Sequence, residues 1–296
     1  MYKHTIWILA ILLTISSLSA QDAVYRTFKD TRVVNLHSVE TLPKGRLDVR
    51  ISHRFGDIAG DNGGFATFFG LETASDVSIG ADYGFSDRFT AGIFRSKGAG
   101  VSSEGNAGLR QLLNAVGKVK LATQQDGNTP LTATLMAMAT LSTQKKLTGA
   151  GSEGTIASFP KFGHRLAYHA QLILAKKFSD RFSFQLNPGY THRNLVPFED
   201  RNGMFSIGAA TRVQVSRTLS ILADAAVPLI DSRRSSNGYY PAIGIGFEFE
   251  TSGHVFQVNF TNATALMETD FIPYTTTQWQ DGAFRLGFTI SRWFNL

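Results

Sequence analysis

Charged side chains at every second position of apolar stretches are the residues of this chain most able to do chemistry. Arg46, Asp48, Arg50 and Arg54 share one parity of a single stretch, and Asp82, Lys118, Lys120, Arg165, His169, Arg212, Asp224, Glu248 and Arg285 hold the matching parity of later ones. Side chains of an extended chain repeat every two residues, so each set occupies one face. Charges within a membrane protein are costly unless they pair or meet water. A closed sheet with these residues inward would line a lumen that orients small polar solutes. The basic set gathers on the first and last stretches and the acidic set on the ninth and tenth, which predicts a field across that lumen and a modest preference for anions. On that reading Arg50→Glu leaves folding largely intact and alters ion preference. The competing reading is that the same charges form salt-bridged networks filling a narrow interior.

Other chemistries find no support in the spacing. A lipid-cleaving barrel would need a His two residues before Ser-Asn-Gly, so that base and nucleophile meet on one strand face. Ser236-Asn237-Gly238 has Arg234 at that position and sits in a loop. His164 and His169 are five apart and face opposite sides of a strand, and His37, His53, His192 and His254 lie on separate segments with no metal-ligand spacing. Gly63-Gly64 and Gly149-Ala150-Gly151 are not followed by the Lys-Ser/Thr of a phosphate loop. The 29 basic and 23 acidic residues are scattered singly, giving +6 without the clustered stripe of a nucleic-acid binder. Absence of cysteine excludes disulfides and thiolate metal sites. We expect no enzyme, no cofactor and no nucleic acid.

The elements that must position the charges are strands. Phe85-Ser86-Asp87-Arg88-Phe89 recurs unchanged as Phe178-Ser179-Asp180-Arg181-Phe182, with a variant at Val215-Ser216-Arg217-Thr218-Leu219. In each case one alternating run enters and another leaves, the pattern of a tight hairpin. Ser and Asp fold such turns through short side chains that bond nearby backbone, leaving Arg at the solvated tip. Twelve alternating segments follow: 46–54, 76–85, 89–96, 110–122, 130–142, 165–178, 182–192, 204–215, 219–229, 242–250, 254–261 and 283–294. Their lengths suit tilted membrane strands of about 9–11 residues. The gaps alternate between long ones rich in Gly, Ser and Asn (55–75, 97–109, 143–164, 193–203, 230–241, 262–282) and short ones, the barrel pattern of outer membranes. In the last segment Phe284, Leu286, Phe288 and Ile290 oppose Arg285, Gly287, Thr289 and Ser291. Phe256, Val258 and Phe260 likewise oppose Gln257 and Asn259, and Ile243, Ile245, Phe247 and Phe249 oppose Gly244, Gly246, Glu248 and Glu250. A soluble sandwich also alternates, but the even strand count and alternating loop lengths favour closure.

Residues 1–20 read as a signal peptide, with Lys3 and His4 before the apolar run Ile6 to Ile15 and Leu18-Ser19-Ala20 before Gln21. That run is too short to span as a helix, which takes about 20 residues. Residues 21–45 alternate poorly and end in the breaker Pro43-Lys44-Gly45. They read as a periplasmic lead-in, standing free or folded into the barrel mouth.

Several motifs carry a resemblance over the whole mature chain. They are Val39-Glu40-Thr41-Leu42-Pro43-Lys44-Gly45 leading into Leu47-Asp48-Val49-Arg50-Ile51-Ser52-His53-Arg54, then Lys177 to Ser183, Thr191-His192-Arg193-Asn194, Thr251 to Gln257 and Ile290-Ser291-Arg292. With them the chain resembles a family of outer-membrane β-barrel proteins of Gram-negative bacteria that has no assigned activity. The resemblance implies a barrel and its location, and no substrate. We therefore expect an all-β protein, a single transmembrane antiparallel β-barrel of about 12 strands over 46–296 with short periplasmic turns and long extracellular loops. It would sit in outer-membrane lipid after insertion by the outer-membrane assembly machinery. The function expected is a narrow channel or binding barrel for small polar or anionic solutes. The alternative is a closed barrel that holds a partner through its surface loops.

Overall fold

A computed structural model describes residues 24, 26–100, 108–149, 155–251 and 253–296. The signal-peptide reading of 1–20 lies outside them. Twelve antiparallel strands close into one barrel in which each strand pairs with its sequence neighbours and the last returns to the first. The strands are β1 (Arg46–Phe55), β2 (Ala74–Ser86), β3 (Phe89–Ser96), β4 (Leu112–Ala122), β5 (Thr132–Ser142), β6 (Leu166–Lys177), β7 (Phe182–Arg193), β8 (Gly203–Gln214), β9 (Leu219–Pro228), β10 (Ala242–Glu250), β11 (His254–Thr261) and β12 (Arg285–Asn295). Closure runs through nine paired positions from Arg46 opposite Asn295 to Arg54 opposite Gly287. It leaves no unpaired edge in the sheet, as a spanning β-structure requires. No helix of the described residues is long and apolar enough to cross a membrane.

The repeated turns close through one device. The Ser86 hydroxyl accepts from the Phe89 N–H at 3.1 Å, Ser179 from Phe182 at 3.1 Å and Ser216 from Leu219 at 3.2 Å. The aromatic shoulders meet across two of these turns, with ring centroids 5.6 Å apart for Phe85–Phe89 and 5.5 Å for Phe178–Phe182.

Alternation sorts the two faces. Ile243, Ile245, Phe247 and Phe249 are exposed on the outside of β10, while Gly244, Gly246 and Glu248 are buried inside. On β12, Arg285, Gly287, Thr289 and Ser291 are buried within.

Two segments that alternate poorly fill the interior. Residues 27–42 form a hairpin before β1, closed by the Val33 N–H to Leu36 carbonyl and Ser38 N–H to Thr31 carbonyl bonds at 2.8 and 2.9 Å. All of it is buried except Lys29, which is half-exposed. Both arms open toward the short-turn mouth. Val24 donates to the Gln124 carbonyl beside the β4–β5 turn, and the Lys44 N–H donates to Asp87 in the β2–β3 turn. Of the two arrangements the sequence left open for 21–45, residues 27–42 are folded inside.

The β11–β12 connection, expected among the long outer loops, also turns inward. It carries helix α1 (Glu268–Tyr274), every residue of which is buried. Its apolar residues Ala263, Ala265, Met267, Phe271 and Ile272 join the barrel's interior cluster with Val33, Leu36 and Val39 of the hairpin. Burial of that apolar surface draws the loop in. Asn262 and Thr277 pin its neck, each bonding the other's carbonyl at 2.7 and 2.6 Å.

Candidate functional site

The candidate site is the barrel interior where hairpin, inward loop and wall meet. On the β9 side, the Asp224 carboxylate accepts the backbone N–H groups of Val34, Asn35 and Leu36 at 3.0, 2.6 and 2.9 Å and the Asn35 amide at 2.7 Å. Consecutive N–H groups at a turn form a concave nest for an anion, and here the wall supplies the anion. Four strands round the ring, Arg50 of β1 donates to Asp30 of the hairpin at 2.8 Å, to Thr31 at 2.9 Å and to Asp48 at 2.7 Å. The hairpin is thus slung between an arginine on β1 and an aspartate on β9.

Two further cations hold it without a carboxylate. Lys118 donates to the carbonyls of Ser38, at 2.7 Å, and Glu40. Arg54 donates to the Asn35 side-chain oxygen at 2.6 Å and to the carbonyls of Ala263 and Ala265 in the inward loop. Arg50, Arg54 and Lys118 are among the largest fully buried side chains of the molecule.

Close approach of the hairpin depends on inner-face glycines. A Cβ on Gly244 would lie 2.5 Å from Val34 Cγ1, and one on Gly84 would lie 2.1 Å from the Pro43 carbonyl oxygen. The alternation of the sequence marks Gly244 as inward; the hairpin explains why no side chain stands there.

Hairpin and inward loop touch at Glu268. It accepts the His37 N–H at 3.0 Å and meets His37 Nδ1 at 2.6 Å, with Arg32 at 3.9 Å. Arg32 also donates to the Leu266 carbonyl at 2.6 Å. Burial pushes the His37 ring down to about 4, against the pull of Glu268. Burial alone would raise Glu268, but His37 and Arg32 more than offset it and hold it below the usual carboxylate range. The pair is therefore a carboxylate receiving Nδ1–H from a neutral imidazole. Nearby, Asp270 accepts the Ala99 N–H at 3.0 Å, and burial together with the charge of Asp76 pushes it up to about 7.

The residues expected in the lumen fall into three groups. Asp48, Arg50, Arg54, Lys118 and Asp224 are brought together around the hairpin, and Asp82 is buried beside them. Glu248 pairs with Arg212 at 2.8 Å near the short-turn mouth, where Arg46 lies over the Trp293 ring at 5.1 Å and Lys120 is half-buried. His169 bonds Thr191 at 2.9 Å, while Arg285 bonds the Asn262 carbonyl at 2.8 Å at the inward loop's neck. Arg165, expected on the sixth strand, lies in a 3-10 turn just before β6 and donates to the carbonyls of Ser142 and Gln144 at 3.1 and 2.6 Å. Arg50 on β1 and Asp224 on β9 hold the hairpin between them, Arg50 through Asp30 and Asp224 through the N–H groups of Val34, Asn35 and Leu36. Sequence reasoning missed Asp30, Arg32, Asn35, His37 and Glu268. Its available signal was the apolar residues Val33, Val34, Leu36, Leu266, Met267, Phe271 and Ile272 in segments read as a lead-in and an outer loop.

Among the described residues no group of three or more His, Asp and Glu could hold a metal ion. No curated protein matches the chain in sequence. Its fold is similar to that of the NanC porin, at 9% identity and a TM-score of 0.50, covering 84% of this chain and 100% of that one. It also superposes on the KdgM porin, at 8% identity and a TM-score of 0.47, over 83% and 98% of the two chains. At its identity, the likeness to the NanC porin shows the fold alone, a closed antiparallel barrel. Residues 28–294 match the family described as "Membrane bound beta barrel domain (DUF5777)", so hairpin, wall and inward loop fall within one family unit, and the chain belongs to that family.

Proposed function

We propose that this protein is a gated passage of the outer membrane for small polar solutes, with the hairpin and the inward loop as its two gates. The observation that carries the reading is that each insert enters and leaves by one mouth, the hairpin from the short-turn side and the loop from the long-loop side. Either can withdraw without threading the chain through the wall. What they cover is rich in groups that prefer water, including Asp48, Arg50, Ser52, Arg54, Ser78, Asp82, Asn114 and Lys118. Buried ion pairs contribute little net stability compared with apolar packing. A wall built from them is better suited to periodic wetting than to permanent closure.

A second reading, a permanently closed barrel that binds a partner through its loops, is favoured by the apolar cluster in which Leu36, Val39, Met136, Ile173 and Phe271 meet.

Conductance of the refolded chain in a planar bilayer separates the two. A Cβ on Gly244 would lie 2.9 Å from Val34 Cβ and 2.5 Å from its Cγ1, so Gly244→Ala leaves no room for the docked hairpin. If the hairpin gates the lumen, Gly244→Ala should raise open probability well above that of the native chain. A folded barrel that stays silent in Gly244→Ala, and in Asp224→Ala as well, would establish the closed reading.

A further inference from the structure

The long-loop rim carries phenylalanines that neither gate uses. Phe65, Phe68 and Phe69 stand out from the β1–β2 loop, Phe65 with 83% of its surface exposed. Phe198, in the β7–β8 loop, is 95% exposed. In a ring of twelve strands these two connections lie half-way round from each other. We propose that the two loops are lipid anchors, whose phenylalanines rest at the boundary between headgroups and acyl chains on the long-loop side of the membrane.

The β1–β2 loop is continuous with the surface that already faces lipid. Ile58 donates to the Phe284 carbonyl at 2.9 Å and Ala59 to the Gly282 carbonyl at 3.2 Å, which fixes the loop to the start of β12. There Trp279 stacks on Phe284 with centroids 4.6 Å apart, and Phe284 meets Phe260 edge-on at 6.3 Å. Aromatic girdles of this kind mark the membrane interfaces of barrels, and Phe65, Phe68 and Phe69 extend this one past the end of the strands.

The loop is also a folded feature. Phe68 and Phe69 have φ of 47° and 55°, a left-handed conformation uncommon for bulky residues. The turn is held by the Phe68 N–H to Phe65 carbonyl bond at 3.0 Å and the Phe69 N–H to Gly64 carbonyl bond at 2.7 Å. Three aromatic rings are thereby fixed outward, where water would disfavour them. Placement on opposite flanks fits a medium that surrounds the barrel, whereas one docked protein would cover a single side.

The absence of cysteine allows a single-site test in the full chain. Phe65→Cys and Phe198→Cys would each carry a nitroxide in phosphatidylethanolamine/phosphatidylglycerol vesicles. Collision with dissolved oxygen is compared with collision with a water-soluble nickel chelate. Ile93→Cys, outward on β3, serves as the lipid reference, and Lys146→Cys, in the β5–β6 loop, as the aqueous one. Both test sites should show an oxygen-to-nickel ratio several-fold above that of Lys146. Water-like ratios at both sites, or at either one, would overturn the two-sided anchor. So would water-like ratios in vesicles that become shielded in native membranes, which would point to a protein partner instead. Folding is checked by heat-modifiable electrophoretic mobility. Phe69→Cys replaces Phe65→Cys if that variant fails to fold, and Glu199→Cys, exposed beside Phe198, replaces Phe198→Cys.

Discussion

Among the described residues, Asp224 accepts hydrogen bonds from the hairpin tip alone, and the N–H groups of Val34, Asn35 and Leu36 have no other acceptor. Removing the carboxylate leaves buried donors without acceptors. Asp224→Ala should therefore weaken hairpin docking by about 3 kcal/mol, roughly a hundredfold in the docked-to-undocked ratio. The measurement is open probability in single-channel records, and an unchanged value would mean that the nest does not hold the gate. Arg50 shows how burial changes a mutational forecast. From parity alone Arg50→Glu looks like a change of ion preference in an open lumen. With Arg50 between Asp30 and Asp48, the variant instead brings three carboxylates together and strands two of them without a cation. It should cost about 3–5 kcal/mol of docking and expose 27–42 to protease added from the short-turn side. Protection equal to that of the native chain would place the arginine outside the latch.

The inward loop is an element-scale joint with opposing titrations, at Glu268 against His37 of the hairpin and at Asp270 against the Ala99 backbone of the β3–β4 connection. His37 is neutral when docked and titrates at about 4, below its ordinary 6.5. Its contribution to docking is complete above 6.5 and declines as pH falls toward 4. Glu268, held low, adds a loss of docking as pH falls below the ordinary carboxylate range. Asp270 has the opposite sign. Its docked value of about 7 exceeds the ordinary 3.8, so docking weakens as pH rises between those limits. From about pH 4 to 6.5 the His37 and Asp270 contributions oppose each other, and the native gate should respond weakly to pH there. Asp270→Asn removes one side. Open probability of that variant should fall by at least about tenfold as pH is raised from 4 to 6.5. A flat profile in both proteins would show that α1 and the hairpin do not move apart in gating.

Across the whole molecule, lipid sets the outer surface and the inserts set the inner one. Phe288 lies on the outer row of β12, beside His53 of β1 with ring centroids 5.5 Å apart. Phe288→Arg should destabilise the barrel by about 2–4 kcal/mol near the bilayer midplane, read as the change in unfolding free energy by urea titration from vesicles. A loss below that range would put this position nearer an interface. Because the outer row does not touch the hairpin, this variant should lower stability without raising open probability. Asp224→Ala should do the reverse.

Strands, turns and faces could be read from the chain because each is a local property. Phe247 and Glu248 take opposite sides wherever β10 stands, since neighbours in a strand point apart. Ser86, Ser179 and Ser216 close their turns on a backbone group three residues away. Twelve such segments admit closure into a barrel with little help from afar. What fills the barrel was decided by contacts between residues far apart in sequence. Asn35 meets Asp224 and Arg54, and His37 meets Glu268, across separations of up to 231 residues. Residues 27–42 and 262–282 carry no period because their partners lie on many strands at once, so no single face is repeated. Sequence by itself determined a barrel with polar groups turned inward. Only the tertiary structure decided that those groups meet the chain's own inserts, because pairing of buried charges depends on which groups the closed wall brings within hydrogen-bond reach.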